Sequence, residues 1–242
     1  MPQDVPEPIQ IRAENLGRLS YAAALACQRA RHQSVVEARE AGGGPMWILQ
    51  VEHEPPVVTV TPRPGVAEHL LVDETRLNAL GIELAETDRG GDITYHGPGQ
   101  LVLYPILDLN RLGLRIHPYL RVLEEAVIRT LAVFGIRGER DPEATGVWVP
   151  AERSGELDRK ICAMGVRLSR WCSMHGLALN VEPDLEHFQL IVPCGLARPV
   201  TSLKEELGAK APTLAVVREE LTRQLIELLE AQAEAFQERQ AR

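Results

Sequence analysis

Lysine and cysteine are scarce in this 242-residue chain. The basic residues are almost all arginine, and the only lysines are Lys160, Lys204 and Lys210. Four cysteines without dense spacing are too few for a disulfide framework, which suggests reduced thiols. Uncharged apolar stretches stay well short of the roughly 20 residues that a membrane-spanning helix needs. These shortages exclude a disulfide-stapled secreted module and an integral membrane protein.

The ends of the chain and its charge narrow the class further. The start, MPQDVPEPIQ, lacks both the basic and apolar parts of a secretion signal and the arginine-rich character of a transit peptide. We therefore expect a cytoplasmic protein with no membrane contact. A formal net charge of −8 argues against nucleic acid as the main partner. It leaves room for an acidic protein partner that meets a local basic patch.

Hydrophobic periodicity predicts helices that frame a block of strands. Helical patterns cover residues 15–40, with Asn15 as a possible N-cap, and residues 73–80, 117–134 and 214–235. Strand-like runs cover residues 47–51, 57–60, 101–107, 146–149, 161–166 and 176–181. Without strict βαβ alternation, this order favours an α+β fold with a mixed, mostly antiparallel sheet flanked by helices. We expect a flexible leader over residues 1–10, one catalytic domain over 11–236 and a frayed tail over 237–242.

The stretch RGGDITYHGPGQ, residues 89–100, is rich in glycine. It lacks the phosphate-loop pattern, and a strand-like run follows it where a phosphate loop would have a helix. The glycines permit a close approach of the backbone to a ligand, and Arg89, Thr94, Tyr95 and His96 add polar and aromatic groups. A tight hairpin with two glycine turns explains the same spacing equally well.

Cys194 stands between Pro193 and Gly195, at the end of the apolar run of FQLIVPCGL. Two breakers of regular structure are typical of a side chain that is presented rather than buried. A thiol is nucleophilic only as thiolate, which needs a nearby base or cation. His96, His175 and Lys160 are the candidates, because arginine stays protonated. Lys160 is notable in a chain that avoids lysine, although a solvated cation at a strand end also fits.

The other cysteines have simpler interpretations. Cys27 lies in an alanine-rich helical pattern and Cys162 in a strand-like run, so both read as small core residues. Cys172 and His175 form a CxxH pair that could bind zinc together with Cys162 or Cys194. The spacing is awkward and no CxxC pair exists, so we expect no metal site.

Three segments together carry a resemblance to a known family. RGGDITYHGPGQLVLYPILDL (89–109), KICAMGVRLSRWCSMHGLALNV (160–181) and LIVPCGL (190–196) resemble the lipoyl(octanoyl) transferases, over about residues 47–207. A departure is Thr61-Pro62-Arg63, where the family has a glycine–arginine step. The resemblance implies a fold similar to the catalytic domains of biotin and lipoate protein ligases, and no cofactor.

The resemblance also implies a mechanism and a site. The family's nucleophilic cysteine falls on Cys194 and its lysine base on Lys160. An octanoyl group would pass from octanoyl-acyl carrier protein, through a cysteine thioester, to a lysine of a lipoyl domain. Such acceptors are the lipoyl domains of 2-oxoacid dehydrogenase complexes and the glycine cleavage H protein. The implied pocket residues come from three segments: Arg89, Gly90, Gly91, Asp92, Ile93, Thr94, Tyr95 and His96; Ala163, Met164 and Gly165; Gly176, Leu177 and Ala178.

Two alternatives stay open on the sequence. The first is an ATP-dependent lipoate or biotin ligase of the same fold, which would have no use for a thiol at Cys194. The second is a domain that binds acylated proteins without catalysis. For His96 and His175 we favour a structural or binding role over catalysis, because the dyad already has a base.

Overall fold

The computed structural model describes residues 9–153, 155–192 and 198–240. In this part of the chain, seven strands form the main sheet in the order β1-β2-β6-β10-β9-β8-β7. The bounds are β1 Ile11–Leu19, β2 Met46–His53, β6 Gln100–Ile106, β7 Glu139–Arg140, β8 Val147–Val149, β9 Arg159–Ser169 and β10 Cys172–Asn180. β1 and β2 are parallel, and every other neighbouring pair is antiparallel. The predicted α+β fold with a mixed, mostly antiparallel sheet is confirmed.

The first helix begins later than the sequence pattern predicted. Asn15 lies inside β1, and helix α1, Tyr21–Glu40, starts after Ser20, whose side chain accepts a hydrogen bond from the Ala23 N–H. The prediction of Asn15 as the N-cap is wrong. Pairing of β1 with β2 satisfies the backbone groups of residues 11–19, and this tertiary interaction overrides the local helical composition.

Two long helices pack on the sheet and on each other. Helix α3, Ile116–Val133, buries Leu123, Val127 and Leu131 on one stripe, as its periodicity predicts. The last helix, Leu214–Gln240, extends into the segment for which we predicted a frayed tail. Two further helices are short, α2 (Glu74–Ala79) and α4 (Leu203–Leu207), and the last helix is therefore numbered α5. No helix in the described ranges is long and apolar enough to cross a bilayer.

A second, three-stranded sheet lies beside the main one. It has the order β4-β3-β5, with β3 Val57–Val60, β4 Glu83–Glu86 and β5 Ile93–His96. Its apolar cluster includes Val58, Leu77 and Phe188, the last from a 3-10 helix, Leu185–Leu190. Residues 93–96, which the sequence analysis treated as part of a glycine-rich loop, are therefore strand, because Val60 to Val57 pair with Ile93 to His96.

Candidate active site

A cavity of about 490 Å³, including open solvent, lies between the main sheet and β5. Most of its lining residues are ones that the sequence predicted. They are Tyr21, Arg89, Thr94, His96, Val102, Tyr104, Lys160, Ala163, Met164, Gly165, His175, Gly176, Leu177 and Ala178.

Small residues on the two central strands create this space. Ala163 and Gly165 of β9 lie opposite Ala178 and Gly176 of β10 in the antiparallel register. Side chains two apart on a strand share a face, so these four positions form one patch without bulky groups. Ala178 also lies opposite Val102 of β6. The patch and its apolar neighbour suit an aliphatic chain laid along the sheet.

Arg89 closes one side of the cavity, and the next residue, Gly90, is bonded to β9. The Arg89 guanidinium donates to the Gly90 carbonyl at 3.0 Å and to the Thr59 carbonyl and hydroxyl at 3.1 and 2.9 Å. The Gly90 N–H donates to the Val166 carbonyl at 2.9 Å, which ties this segment to β9. A Cβ on Gly165 would lie 2.4 Å from the Gly90 oxygen. Glycine at 165 is therefore required by the close approach of the two backbones.

A second cavity, of about 910 Å³ including open solvent, adjoins the first. Gly90 and Gly91 lie on its wall rather than on that of the first cavity. The two cavities have Lys160, Met164 and Gly165 in common. The remaining lining residues are Ile116, Leu120, Glu143, Ala144, Thr145 and Val166. Lys160 thus stands where a ligand in one cavity would meet a ligand in the other.

Three of the predicted pocket residues lie elsewhere. Ile93 and Tyr95 are buried in the apolar cluster of the small sheet. The Tyr95 hydroxyl lies 2.9 Å from Nδ1 of His187. Asp92 faces the guanidinium of Arg63 at 3.4 Å. The alternation of β5 explains the division, because Thr94 and His96 point toward the cavity while Ile93 and Tyr95 point away.

Lys160 is held at both its backbone and its amine. Nζ donates to the Thr145 carbonyl at 3.2 Å and lies 4.6 Å from the centre of the Trp148 ring. The Lys160 N–H donates to the Pro199 carbonyl at 2.8 Å, and the Thr201 N–H donates to the Lys160 carbonyl at 2.9 Å. The strand that carries Lys160 is therefore joined directly to the residues that follow the Pro-Cys-Gly motif.

Cys194 itself lies outside the described residues, as do its neighbours from 193 to 197. On the near side, the Val192 N–H donates to the His69 carbonyl at 2.8 Å. On the far side, Arg198 forms an ion pair with Asp141, and its guanidinium carbon lies 4.3 Å from the Trp148 ring centre. Residue 192, before the motif, is thus bonded to the region of the three-stranded sheet. Residue 198, after the motif, contacts the Trp148 ring, which Lys160 also contacts.

His96 is a buried, neutral histidine on the cavity wall. Burial, together with the nearby His53 ring, holds its pKa well below the usual value. Its Nδ1 donates to the Gln100 side-chain oxygen at 2.7 Å. Gln100 in turn donates to Asn180, and Asn180 donates to the Thr201 carbonyl. This chain of hydrogen bonds connects the cavity wall to the segment beside Lys160.

His175 pairs with Asp88 at the other end of the cavity. Its Nε2 lies 2.8 Å from Oδ1 of Asp88, and burial lowers the pKa of the imidazole in spite of this carboxylate. Burial opposes the charge of Asp88, but the hydrogen bond from His175 and the nearby Arg167 offset it, so the pKa of Asp88 is lowered. The neutral ring therefore donates its Nε2 proton. The backbone of His175 is left-handed, with φ of 58°, and its N–H donates to the Gln28 side chain.

Sequence reasoning missed Tyr21, Val102 and Tyr104, which also line the cavity. The Tyr104 hydroxyl lies 2.7 Å from Nε2 of His53, whose Nδ1 donates to the Leu19 carbonyl. The Tyr104 hydroxyl is consequently the donor in this pair. A tyrosine within the otherwise apolar run of β6 was the available signal, because a buried hydroxyl needs a partner.

The alternative zinc site has no support in the described ranges. Cys162 pairs with Leu179 and Cys172 with Ser169, so seven residues, or roughly 23 Å of strand, separate the two thiols. No group of three potential metal ligands comes together among the residues that the structure describes. Burial raises the pKa of both thiols, that of Cys172 to about 12, which disfavours the thiolate form that binds metal.

Comparisons with known proteins show which family this chain matches. Residues 20–226 match the lipoyl protein ligase A/B catalytic domain family. The chain is 51% identical to an octanoyltransferase of Christiangramia forsetii over 187 residues, which are 77% of this chain and 78% of that protein. It is 43% identical to an octanoyltransferase of Flavobacterium johnsoniae over 231 residues, 92% of this chain and 98% of that one.

Solved structures agree in fold. A bipartite lipoate protein ligase of Thermoplasma acidophilum superposes with a TM-score of 0.67 at 18% identity, covering 94% of this chain and 91% of that one. A biotin protein ligase of Aquifex aeolicus gives 0.52 at 13% identity, covering 93% and 72%. At such identities the likeness shows the fold alone. The chain therefore belongs to the lipoyl protein ligase A/B catalytic domain family and, within it, to the octanoyltransferases, a group of acyltransferases.

Proposed function

We propose that this enzyme moves an octanoyl group from octanoyl-acyl carrier protein to the lysine amine of a lipoyl domain, with Cys194 as nucleophile and Lys160 as base. The position of Lys160 carries the proposal. This residue borders both cavities, and its backbone is hydrogen-bonded to residues 199 and 201. Pro199 lies five positions after Cys194 in the sequence, and five steps along the chain span at most roughly 18 Å.

The first half-reaction would form an acyl-enzyme. The Lys160 amine takes the proton of the Cys194 thiol, and the thiolate attacks the thioester carbonyl of the donor. The new carbon–sulfur bond forms as the bond to the carrier's thiol breaks, and the Lys160 ammonium returns its proton to that leaving group. The small-residue patch of β9 and β10 supports this step, because it offers an apolar surface for the octanoyl tail.

The second half-reaction would release the enzyme. The acceptor lysine attacks as the neutral amine, an amide bond forms, and the bond to the Cys194 sulfur breaks. The proton lost by the attacking nitrogen passes through Lys160 to the cysteine sulfur, which restores the starting state. No energy source is needed, since the donor thioester is already activated. The second cavity, which shares Lys160 with the first, is a suitable path for the two protein substrates in turn.

The test is to look for the intermediate. Incubation with octanoyl-acyl carrier protein, without ATP, should add one octanoyl mass to the peptide that contains Cys194, and hydroxylamine should remove it. Cys194→Ser should abolish this thioester. A hydroxylamine-labile adduct that persists elsewhere in Cys194→Ser would refute the nucleophile. Modification of lipoyl domains that requires ATP would instead support a ligase.

Lys160→Ala tests the base, with Lys204→Ala as the matched control because Lys204 is exposed on α4. We expect formation of the acyl-enzyme to slow by about 10²- to 10⁴-fold in Lys160→Ala, the usual contribution of general acid–base catalysis. The control should behave as wild type in a single-turnover measurement. Equal rates in the two variants would show that Lys160 is not the base.

A further inference from the structure

Glu124 is a carboxylate on the buried side of helix α3, where apolar side chains are expected. Within α3, all of whose residues the structure describes, it is the one acidic side chain among the buried positions. It lies beside Leu123 and is 1% exposed. Burial of a charge is unfavourable unless hydrogen bonds and opposite charges compensate it, so a retained buried carboxylate calls for a reason.

Its two oxygens have different partners. Oε2 faces the Arg121 guanidinium at 2.6 Å and that of Arg140 at 3.3 Å. Oε1 accepts a hydrogen bond from the Gly146 N–H at 3.2 Å. The arginines compensate the charge, and the backbone contact ties the carboxylate to the turn before β8.

The contact with Gly146 leads directly to Lys160. The carbonyl oxygen that accepts the Lys160 amine belongs to Thr145, and this carbonyl and the Gly146 N–H are the two ends of one peptide group. A peptide group is planar and rigid, so it cannot turn toward one partner without changing its orientation to the other. Glu124 therefore fixes the direction of the oxygen that holds the Lys160 amine.

The packing at Gly146 leaves little freedom for another arrangement. Its φ is +129°, and a Cβ there would lie 2.5 Å from the Cys162 carbonyl and 3.2 Å from Cε of Lys160. The Trp148 indole N–H donates to the Ala144 carbonyl at 3.1 Å, which holds the turn from its other side. A carboxylate on the N–H also polarises the peptide, which makes its carbonyl a better acceptor for an ammonium group.

We propose that Glu124 is a positioning residue for the base, acting on Lys160 through the peptide group between Thr145 and Gly146. This inference rests on the proposed function, since it assigns a role relative to Lys160. Glu124 would set the place of the Lys160 amine and favour its protonated form after it has taken the cysteine proton. It touches neither substrate.

The experiment compares Glu124→Gln and Glu124→Leu with Glu125→Leu as the control. Glutamine keeps an oxygen for the Gly146 N–H, whereas leucine removes it. Glu125 is 31% exposed and pairs with Arg140 and Arg129, so its loss disturbs the arginine that Glu124 also contacts but leaves the Glu124 bond to Gly146 in place. The measurement is the pH dependence of acyl-enzyme formation in single turnovers, with the folded fraction checked by urea unfolding.

We expect Glu124→Leu to slow acyl-enzyme formation by about 10- to 100-fold, as small misplacements of a reacting group do. The midpoint of its pH–rate profile should move, because the environment of the Lys160 amine changes. Glu124→Gln should restore much of the rate, and Glu125→Leu should leave rate and midpoint as in wild type.

Two outcomes would overturn the inference. One is a pH midpoint in Glu124→Leu equal to that of wild type, with a rate that falls only with the folded fraction. The other is the same factor of loss from Glu124→Leu in a Lys160→Ala background, which would show that Glu124 acts independently of Lys160. If Lys160→Ala alone acylates at the wild-type rate, the proposed base is wrong, and this failure is distinct from the other two.

Discussion

Gly165→Ala should damage both the packing and the catalysis of this enzyme. The added methyl would lie 2.4 Å from the Gly90 carbonyl oxygen and 3.2 Å from Cδ of Arg89. The nearer atom belongs to the backbone, so no side-chain rotation relieves the clash. The Gly90 N–H is bonded to Val166, the residue after the substitution, and this bond resists a shift of the segment.

The magnitude follows from these contacts. Overpacking of this kind costs about 1–3 kcal/mol of the free energy of unfolding. For a chain of this size, each kcal/mol lowers the melting temperature by about 2–4 °C. Arg89 and Gly165 line the first cavity and Gly90 lines the second, so the displacement also reaches the candidate site. A loss of about 10²-fold in rate is expected for a shift near 1 Å.

The assay needs a control that separates stability from catalysis. A Cβ on Gly44 would lie 2.6 Å from Cβ of Ala38, a comparable clash in the connection between α1 and β2. Gly44→Ala should therefore lower the melting temperature without changing the rate of acyl-enzyme formation per folded molecule. Gly165→Ala should lower both. A Gly165→Ala enzyme with wild-type rate and melting temperature would refute the close approach of the two backbones.

Two further predictions concern stability. The pKa of the buried His53 is lowered to about 4, chiefly by burial, so between pH 6.5 and 4 the unfolded chain binds a proton that the folded chain does not. The free energy of unfolding should therefore fall by up to about 3 kcal/mol as the pH drops through this window. Urea titrations of His53→Gln should show a smaller fall than those of the wild type. His117→Gln, which changes an exposed histidine, should show the same fall as the wild type. Glu206 accepts two bonds from the Arg159 guanidinium and one from the Thr201 hydroxyl, so Glu206→Ala should cost about 1–3 kcal/mol in urea unfolding. A Glu206→Ala cost no larger than that of the exposed Glu205→Ala would contradict this reasoning.

Local patterns predicted most elements where burial and periodicity agree. The run Val57-Val58-Thr59-Val60 is a strand with the predicted bounds, and the amphipathic stripe of α3 is buried as expected. The errors lie where tertiary pairing overrides local composition. Residues 11–19 join β2 as a parallel strand in spite of their mixed polar composition. Residues 93–96, Ile-Thr-Tyr-His, do have strand-forming residues, but the glycines on both sides led us to predict a loop.

In the candidate site, too, some features were readable from the sequence and others depend on the tertiary structure. The sequence pointed to His175 as a possible supporting residue, but its partner Asp88 lies 87 positions earlier in the chain and no spacing rule connects them. Glu124 carried a readable signal, a carboxylate next to the Leu120, Leu123 and Val127 stripe, but its meaning depends on the turn at Gly146. Tyr104 and Tyr21 became cavity residues only through the packing of α1 and β6.

The sequence by itself determined the family and the α+β class, and through the family resemblance it suggested Lys160 and Cys194 as the residues of the chemistry. These follow from composition, long motifs and periodicity, all of which are local along the chain. The tertiary structure decided which residues meet. The β9–β10 register sets Gly165 opposite Gly176 and so opens a cavity, and one peptide group joins Glu124 on α3 to Lys160 on β9. Such contacts arise from pairing between distant segments, and the physical reason is that burial and hydrogen-bond satisfaction are optimised over the whole fold.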